Sequence, residues 1–135
     1  MRALILAFVM CVAFAAPARA DDLSDAQATI RAQVEALGRD DAAAAHGYAA
    51  PAIQQMFSAP EDFMGMVRSG YAPVYRHKSF EFGEARVTDS GIAQRVRIVD
   101  TEGIPWDALY TLERQPDGSL KITGCVLLKV AGQAV

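Results

Sequence analysis

The apolar pattern of this chain changes once, near Arg76, and that change limits the folds open to it. Before Arg76, apolar residues recur every three or four positions, the period of a helix with one buried face. After Arg76 they alternate in four stretches, the period of strands with one buried face, and turn sequences separate them at 88–91, 100–103 and 116–118. This order predicts an α+β fold, in which N-terminal helices pack on a curved four-stranded antiparallel sheet.

Four helices are predicted before Arg76, and the first has the clearest start. Ser24, with Gln27 three residues later, has the pattern of a capping box, and Gly38 is placed to end the helix. The buried face of this helix is predicted to carry Ala26, Ile30, Val34 and Leu37.

Short motifs predict the other three helices. Asp40 and Asp41 are placed to cap a second, alanine-rich helix. Pro51 predicts the start of a short third helix, and residues 58–61 predict the start of a fourth that ends at Gly70.

The strand half contains two irregularities. Gly83 predicts a bulge in the first strand, because the apolar phase shifts there. Gln94 interrupts an otherwise apolar strand face. In the last strand, alternation predicts that Leu120, Ile122, Val126 and Leu128 face the helices together.

The N terminus has the features of a cleaved secretory signal. A charged start at Arg2 precedes a nearly unbroken apolar run over 3–16, and residues 18–20 have the small-x-small pattern that signal peptidase recognises. We therefore expect cleavage to remove residues 1–20 and to leave 21–135 as one α+β domain.

Two membrane-attached alternatives fit the same segment less well. The apolar run is shorter than the ~20 residues that span a bilayer. Met10 stands where a lipoprotein signal needs a small residue before Cys11. We therefore expect the product to be periplasmic or secreted and not membrane-spanning.

Charge and cysteine content exclude some partners. Loss of Arg2 and Arg19 with the signal would lower the formal net charge from −3 to −5, which argues against nucleic acid and anionic lipid headgroups. Cys11 would leave too, so the mature chain could form no intramolecular disulfide. Cys125 is expected to be a buried small hydrophobe, with a reactive or intermolecularly paired thiol as the alternative.

Several motifs together resemble one known family. The motifs are Asp40-Asp41, 48–54, 63–76, Gln94-x-Val96, 110–113, Asp117-Gly118 and 122–125. They are similar to those of the bacterial family called domain of unknown function 4864, over about residues 26–128. Leu120 departs from this pattern, since a tryptophan is expected there. The resemblance implies an exported domain of the nuclear-transport-factor-2-like type, a cone of helices on a curved sheet, and it implies no activity.

The residues offer little for catalysis. Enzymes of that superfamily often carry an acid just after the second helix, where residues 48–52 contain no carboxylate. Asp40 and Asp41 are better explained as capping or solvent-facing residues. His46 and His77 are distant from each other, and a metal site needs three or four convergent ligands. We therefore predict no catalytic residue, no metal and no cofactor.

Aromatic and amide side chains remain as candidates for binding a ligand. A buried Gln94 would need hydrogen-bond partners, so it is either a structural tie across the cone or the polar group of a ligand pocket. Tyrosines combine an apolar ring with a hydroxyl that needs a partner when buried. The predicted ligand-binding residues are Tyr48, Phe63, Tyr71, Tyr75, Gln94 and Tyr110.

Three functions stay open. The leading one is non-enzymatic binding of a small apolar or amphipathic ligand in the cone, lipids included. The second is homodimerisation or docking of a partner protein through the outer sheet face. That face is predicted to carry Arg95, Arg97, Leu109, Thr111, Lys121 and Lys129. The third is an isomerase- or dehydratase-like enzyme using tyrosine and histidine, which requires His46 or His77 to reach the cone.

Overall fold

The computed structural model describes residues 18–130. Most of the predicted signal, residues 1–17, lies outside the described residues, so its cleavage stays a prediction. Within residues 18–130, no helix is both long enough and apolar enough to cross a membrane.

In the described part of the chain, five helices precede four strands. The helices are α1 (Ala18–Gly38), α2 (Ala42–Gly47), α3 (Pro51–Met56), α4 (Pro60–Gly70) and α5 (Ala72–Tyr75). The strands are β1 (His77–Thr88), β2 (Gly91–Asp100), β3 (Pro105–Arg114) and β4 (Leu120–Lys129). They form one antiparallel sheet in the order β1-β2-β3-β4, so β1 and β4 are its edges. The predicted α+β class, with helices on a curved four-stranded sheet, is confirmed.

The predicted start of α1 at Ser24 is wrong, because the helix already begins at Ala18. No glycine or proline interrupts residues 18–23, and Asp21 in the first turn favours the helix through its dipole. Gln27 does not complete a capping box, since its side-chain amide donates instead to Gln94 Oε1 at 3.0 Å.

The start of α2 follows the prediction, and α5 was not predicted. The Asp41 carboxylate caps α2 by accepting from the Ala44 backbone N–H at 3.1 Å. Pro73 lies in the first turn of α5. Residues in a first turn do not donate a helical hydrogen bond, so the missing N–H of proline costs nothing there. A four-residue helix is too short to show a period in the sequence.

The bulge predicted at Gly83 is confirmed, because the pairing of β1 with β2 shifts between Phe82 and Ala85. Gln94 lies opposite this bulge and is fully buried. Its Nε2 donates to the carbonyls of Gly83 at 3.1 Å and Arg95 at 2.7 Å. Its Oε1 accepts from Gln27 of α1, so Gln94 is a structural tie between the β1 bulge and that helix.

A second bulge, in β4, was not predicted and changes which side chains face the helices. Leu112 pairs with Ile122, whereas Thr111 pairs with Gly124, so Thr123 is an extra residue in β4. Because side chains alternate along a strand, one extra residue moves every later side chain of β4 to the other face.

The predicted faces of the second half of β4 are therefore wrong. Val126 and Leu128 are 55% and 61% exposed instead of buried against the helices. Lys129, expected on the outer face, pairs with Trp106, and its Nζ lies 5.6 Å from the indole centroid. Cys125 takes the inner position next to the bulge.

The helical half joins the sheet at the edge strand β4. The Ala50 N–H donates to the Ile122 carbonyl at 2.8 Å, and the Ile122 N–H donates to the Tyr48 carbonyl at 3.0 Å. This short parallel pairing covers the first part of β4. The core fills the space between the helices and the inner sheet face, and its most buried side chains include Ile30, Leu37, Met64, Val96 and Ile98.

Replacing Gln94 with leucine should destabilise the protein by roughly 1–3 kcal/mol, because the bulge carbonyls and the Gln27 amide lose a buried partner. Urea unfolding would measure the change. Gln115→Leu is the control, since Gln115 makes one exposed bond to the Glu113 carbonyl and its loss should change stability by less than about 0.5 kcal/mol. Equal stability of Gln94→Leu and the parent chain would contradict the assigned role.

Candidate ligand-binding cavity

A cavity of about 450 Å³ lies between the helices and the β4 side of the sheet. Its walls come from the C-terminal half of α1, from α3, α4 and α5, and from β3 and β4. Among the described residues that line it there is no Asp, Glu, Lys, Arg or His. The volume falls in the range of about 300–1,000 Å³ that small-molecule sites occupy.

The cavity reaches the edge of the sheet. Five consecutive residues of β4, 122–126, line it, although neighbouring side chains of a strand point to opposite faces. The main chain at the strand edge therefore forms part of the wall. Met56 at the end of α3 also lines the cavity and is 73% exposed, so an apolar side chain lies at the mouth.

Three of the predicted ligand-binding residues, Phe63, Tyr71 and Tyr110, line this cavity. Phe63 is buried and meets the Phe57 ring edge-on, with 6.2 Å between centroids. Tyr71 donates its hydroxyl to the Cys125 carbonyl at 3.0 Å, which attaches the start of α5 to the β4 edge. The structure thus brings together three of the six predicted residues, all of them aromatic.

The other three predicted residues, Tyr48, Tyr75 and Gln94, lie outside the lining. Tyr48 follows α2, and its ring lies 5.9 Å from Lys121 Nζ. The Lys121 ammonium donates to the Gly47 carbonyl at 2.7 Å, so this side chain reaches round the sheet edge. Gln94 is committed to the β1 bulge.

Tyr75 belongs to a surface cluster with Asp40, Arg68 and Arg76. Its hydroxyl donates to the Asp40 carboxylate, and the Arg76 guanidinium lies 3.8 Å from its ring centroid. Asp40 also pairs with Arg68 at 3.2 Å and Arg76 at 3.3 Å. These hydrogen bonds, from Tyr75 first and Arg68 second, hold the pKa of Asp40 below its usual value. Asp40 is solvent-facing, as predicted.

Tyr110 has the most unusual environment of the lining residues. It is 1% exposed, and its hydroxyl lies beside the Cys125 thiol, although no group of residues 18–130 meets full hydrogen-bond geometry to it. Burial, together with the neighbouring Cys125, raises the pKa of Tyr110 well above its usual value, so the hydroxyl stays protonated. Its ring meets Phe80 edge-on, with 6.4 Å between centroids.

The two histidines have structural partners. His46 Nε2 lies 2.6 Å from the Phe57 carbonyl oxygen, and His77 Nδ1 lies 3.1 Å from the Pro73 carbonyl oxygen. Neither residue lines the cavity, so the condition for the isomerase- or dehydratase-like hypothesis is not met. The described residues also hold no group of three or more side chains that could bind a metal.

The cavity is also lined by four residues outside the predicted ligand-binding set: Gln33, Met56, Met66 and Cys125. Met66 lies on α4, one of the helices that form the cavity wall. Cys125 faces inward only because of the unpredicted β4 bulge. The apolar faces of the short helices were the available signal, but their period does not separate a cavity wall from a filled core.

These observations define a class of protein: an α+β domain with an apolar cavity between helices and one sheet edge. A family model described as Domain of unknown function (DUF4864) matches residues 19–135, and the chain belongs to this family. No curated protein and no solved structure matches the chain. The relation to the nuclear-transport-factor-2-like superfamily therefore stays a prediction.

We expect the Cys125 thiol to react slowly at neutral pH, because burial raises its pKa to about 12. Alkylation by iodoacetamide should accelerate steadily as the pH rises from about 7 to 10, since only the thiolate attacks. Mass spectrometry of peptides would count label on Cys125 separately from Cys11, and the chain in urea is the control. Native Cys125 reacting as fast as the unfolded control at pH 8 would contradict the assignment.

Proposed function

We propose that this domain binds a small, uncharged, mostly apolar molecule in the cavity, without catalysing a reaction. The observation that carries the proposal is the combination of the cavity volume, about 450 Å³, with a described lining that contains no charged side chain. Removing an ionic group from water into such surroundings costs far more than it gains. An apolar ligand or the apolar part of an amphipathic one is favoured by the same surroundings.

The source of the ligand follows from a second proposal, that the chain is exported. It rests on the apolar run at 3–16 and the cleavage pattern at 18–20, as argued from the sequence. An exported domain meets envelope molecules, lipid-derived ones included. N-terminal sequencing of the product from the producing cell should find Asp21 first, and an intact Met1 would contradict export by this signal.

The cavity proposal predicts that filling the cavity abolishes binding. Met66 is half-buried and lines the cavity, so Met66→Trp should place an indole in the space that the ligand needs. N-phenyl-1-naphthylamine, an uncharged apolar dye, should gain fluorescence with the parent chain and lose at least tenfold in affinity with this variant. Titration of the dye measures both affinities.

Glu61→Trp is the matched control, because Glu61 is exposed on the same helix and does not line the cavity. It should bind the dye like the parent chain. Circular dichroism and thermal unfolding would verify that both variants fold, and Ile53→Phe is a second cavity-filling variant. Equal dye affinity in all four chains, or none in the parent, would refute the proposal.

A second candidate function is pairing with another copy of this chain through the outer sheet face. The observation favouring it is an apolar patch of Leu109, Val126 and Leu128, which are 39%, 55% and 61% exposed. Leu109 and Val126 are direct cross-strand neighbours, so the patch is continuous. Exposed apolar groups that adjoin one another are typical of interaction sites.

Charge on the same face suits a second copy as the occupant. Arg95 and Arg97 lie on β2, and Asp107 and Glu113 lie on β3, with Arg97 Nε 2.8 Å from Asp107 Oδ1. Because both signs are present, two copies can stack by a two-fold axis without net repulsion. The predicted Lys129 does not contribute, since the β4 bulge turns it inward.

Light scattering at ~100 µM, a concentration that detects weak association, should find a dimer of the parent chain. Leu128→Glu should give a monomer, because it places a charge inside the apolar patch. Ser90→Glu adds the same charge in the exposed β1–β2 turn and should leave the dimer intact. A monomeric parent chain would refute this second candidate.

A further inference from the structure

We infer that α3 is a lid on the cavity, which moves outward to admit the ligand and is held closed by His46. The inference rests on the proposed function and adds the route by which the ligand enters. Its starting point is the position of α3 in the cavity wall. Ile53 and Met56 of α3 and Phe57 just after it line the cavity, and Met56 is 73% exposed at the mouth.

The lid is packed less firmly than the neighbouring walls of the cavity. None of the six residues of α3 is fully buried, whereas α4 buries three of its side chains and α5 buries two. A helix of this length is not stable by itself in water, so its place depends on the contacts at its two ends. Segments with few buried apolar contacts are the ones that open locally while the rest of a domain stays folded.

The two ends of α3 are held in different ways. At its start, the Ala50 N–H donates to the Ile122 carbonyl at 2.8 Å, and Gln54 donates from Nε2 to the Ala49 carbonyl at 2.9 Å. After its end, residues 57–59 form an irregular loop that is largely exposed. The start of α3 is therefore the fixed end, and the loop allows the other end to move.

His46 is the latch that holds the movable end. Its Nε2 lies 2.6 Å from the Phe57 carbonyl oxygen, and it must carry the hydrogen, because a carbonyl oxygen only accepts. The Phe63 ring of α4 meets the His46 ring edge-on at 5.8 Å between centroids and the Phe57 ring at 6.2 Å. The latch thus closes the lid against the α4 wall, and opening breaks the bond between His46 and Phe57.

A latched lid should control the rates of binding more than the affinity. If the ligand enters and leaves through the open form, a weaker latch speeds both steps. Loss of one typical hydrogen bond should raise the population of the open form about fivefold. Because the latch is made in the closed form with and without ligand, the affinity should change by less than about twofold.

His46→Leu tests the latch, because leucine keeps an apolar side chain beside Phe63 and cannot donate. Amide hydrogen exchange, followed by mass spectrometry, should be about fivefold faster at residues 51–57 than in the parent chain and unchanged at residues 60–70. Stopped-flow mixing with N-phenyl-1-naphthylamine should show association and dissociation rate constants that both rise about fivefold. His46→Gln should behave like the parent chain, since its amide Nε2 can donate to the same carbonyl.

His77→Leu is the matched control. His77 Nδ1 lies 3.1 Å from the Pro73 carbonyl oxygen, so the same substitution removes the same kind of contact from α5 instead of α3. Exchange at residues 51–57 and both rate constants should match those of the parent chain. Circular dichroism would verify that all three variants fold. The parent chain supplies a test without any variant, because residues 51–57 should exchange faster than residues 60–70.

The possible failures can be told apart. Unchanged exchange at residues 51–57 in His46→Leu, or rate constants equal to those of the parent chain, overturns the lid and leaves the cavity proposal standing. A fall in affinity without faster association also overturns it, because His46 would then only shape the cavity. The same holds if residues 51–57 of the parent chain exchange as slowly as residues 60–70. A parent chain that binds no dye refutes the proposed function, and the exchange measurement, which needs no ligand, then decides whether α3 opens.

Discussion

The two main-chain hydrogen bonds between residues 48–50 and Ile122 determine where the cavity lies. They attach the segment between α2 and α3 to the edge of β4 and satisfy edge groups that would otherwise face solvent. Directly after Ile122 the Thr123 bulge ends this pairing, and the strand edge is exposed to the space under α3, α4 and α5. Tyr71 closes the far side with its bond to the Cys125 carbonyl. A cavity at one sheet edge follows from this sequence of contacts.

The order of helices and strands could be predicted, because each type of element depends on the local spacing of apolar residues. The turn at 88–91 and the bulge at Gly83 also have local signals. The Thr123 bulge has only Gly124 beside it as a local signal, and the predicted apolar face of β4 continues past it, so the sequence does not reveal that Val126 and Leu128 turn outward. Three lining residues, Gly124, Cys125 and Val126, take their places from this one extra residue, which explains why Cys125 was not predicted there.

Gln94 and Tyr110 show how far a buried polar residue can be interpreted from sequence. Both were expected to be buried and to need partners. Gln94 finds them in the β1 bulge and in Gln27, which lies 67 positions earlier in the chain and could not be identified by spacing. Tyr110 pairs across the strands with Cys125, whose thiol lies beside the hydroxyl and is a weaker partner than an amide or a second hydroxyl. The same physical requirement is therefore met by several hydrogen bonds at Gln94 and only by a neighbouring thiol at Tyr110.

The position of α3 in the cavity wall gives His46 a structural role. None of the six residues of α3 is fully buried, so packing alone holds this helix weakly. His46 bonds the Phe57 carbonyl just beyond its end, and Gln54 donates to the Ala49 carbonyl at 2.9 Å. These polar contacts lie behind the wall and keep Met56 at the mouth. The cavity mouth beside α3 is therefore apolar, and the polar residues of the described lining are Gln33, Tyr71, Tyr110 and Thr123.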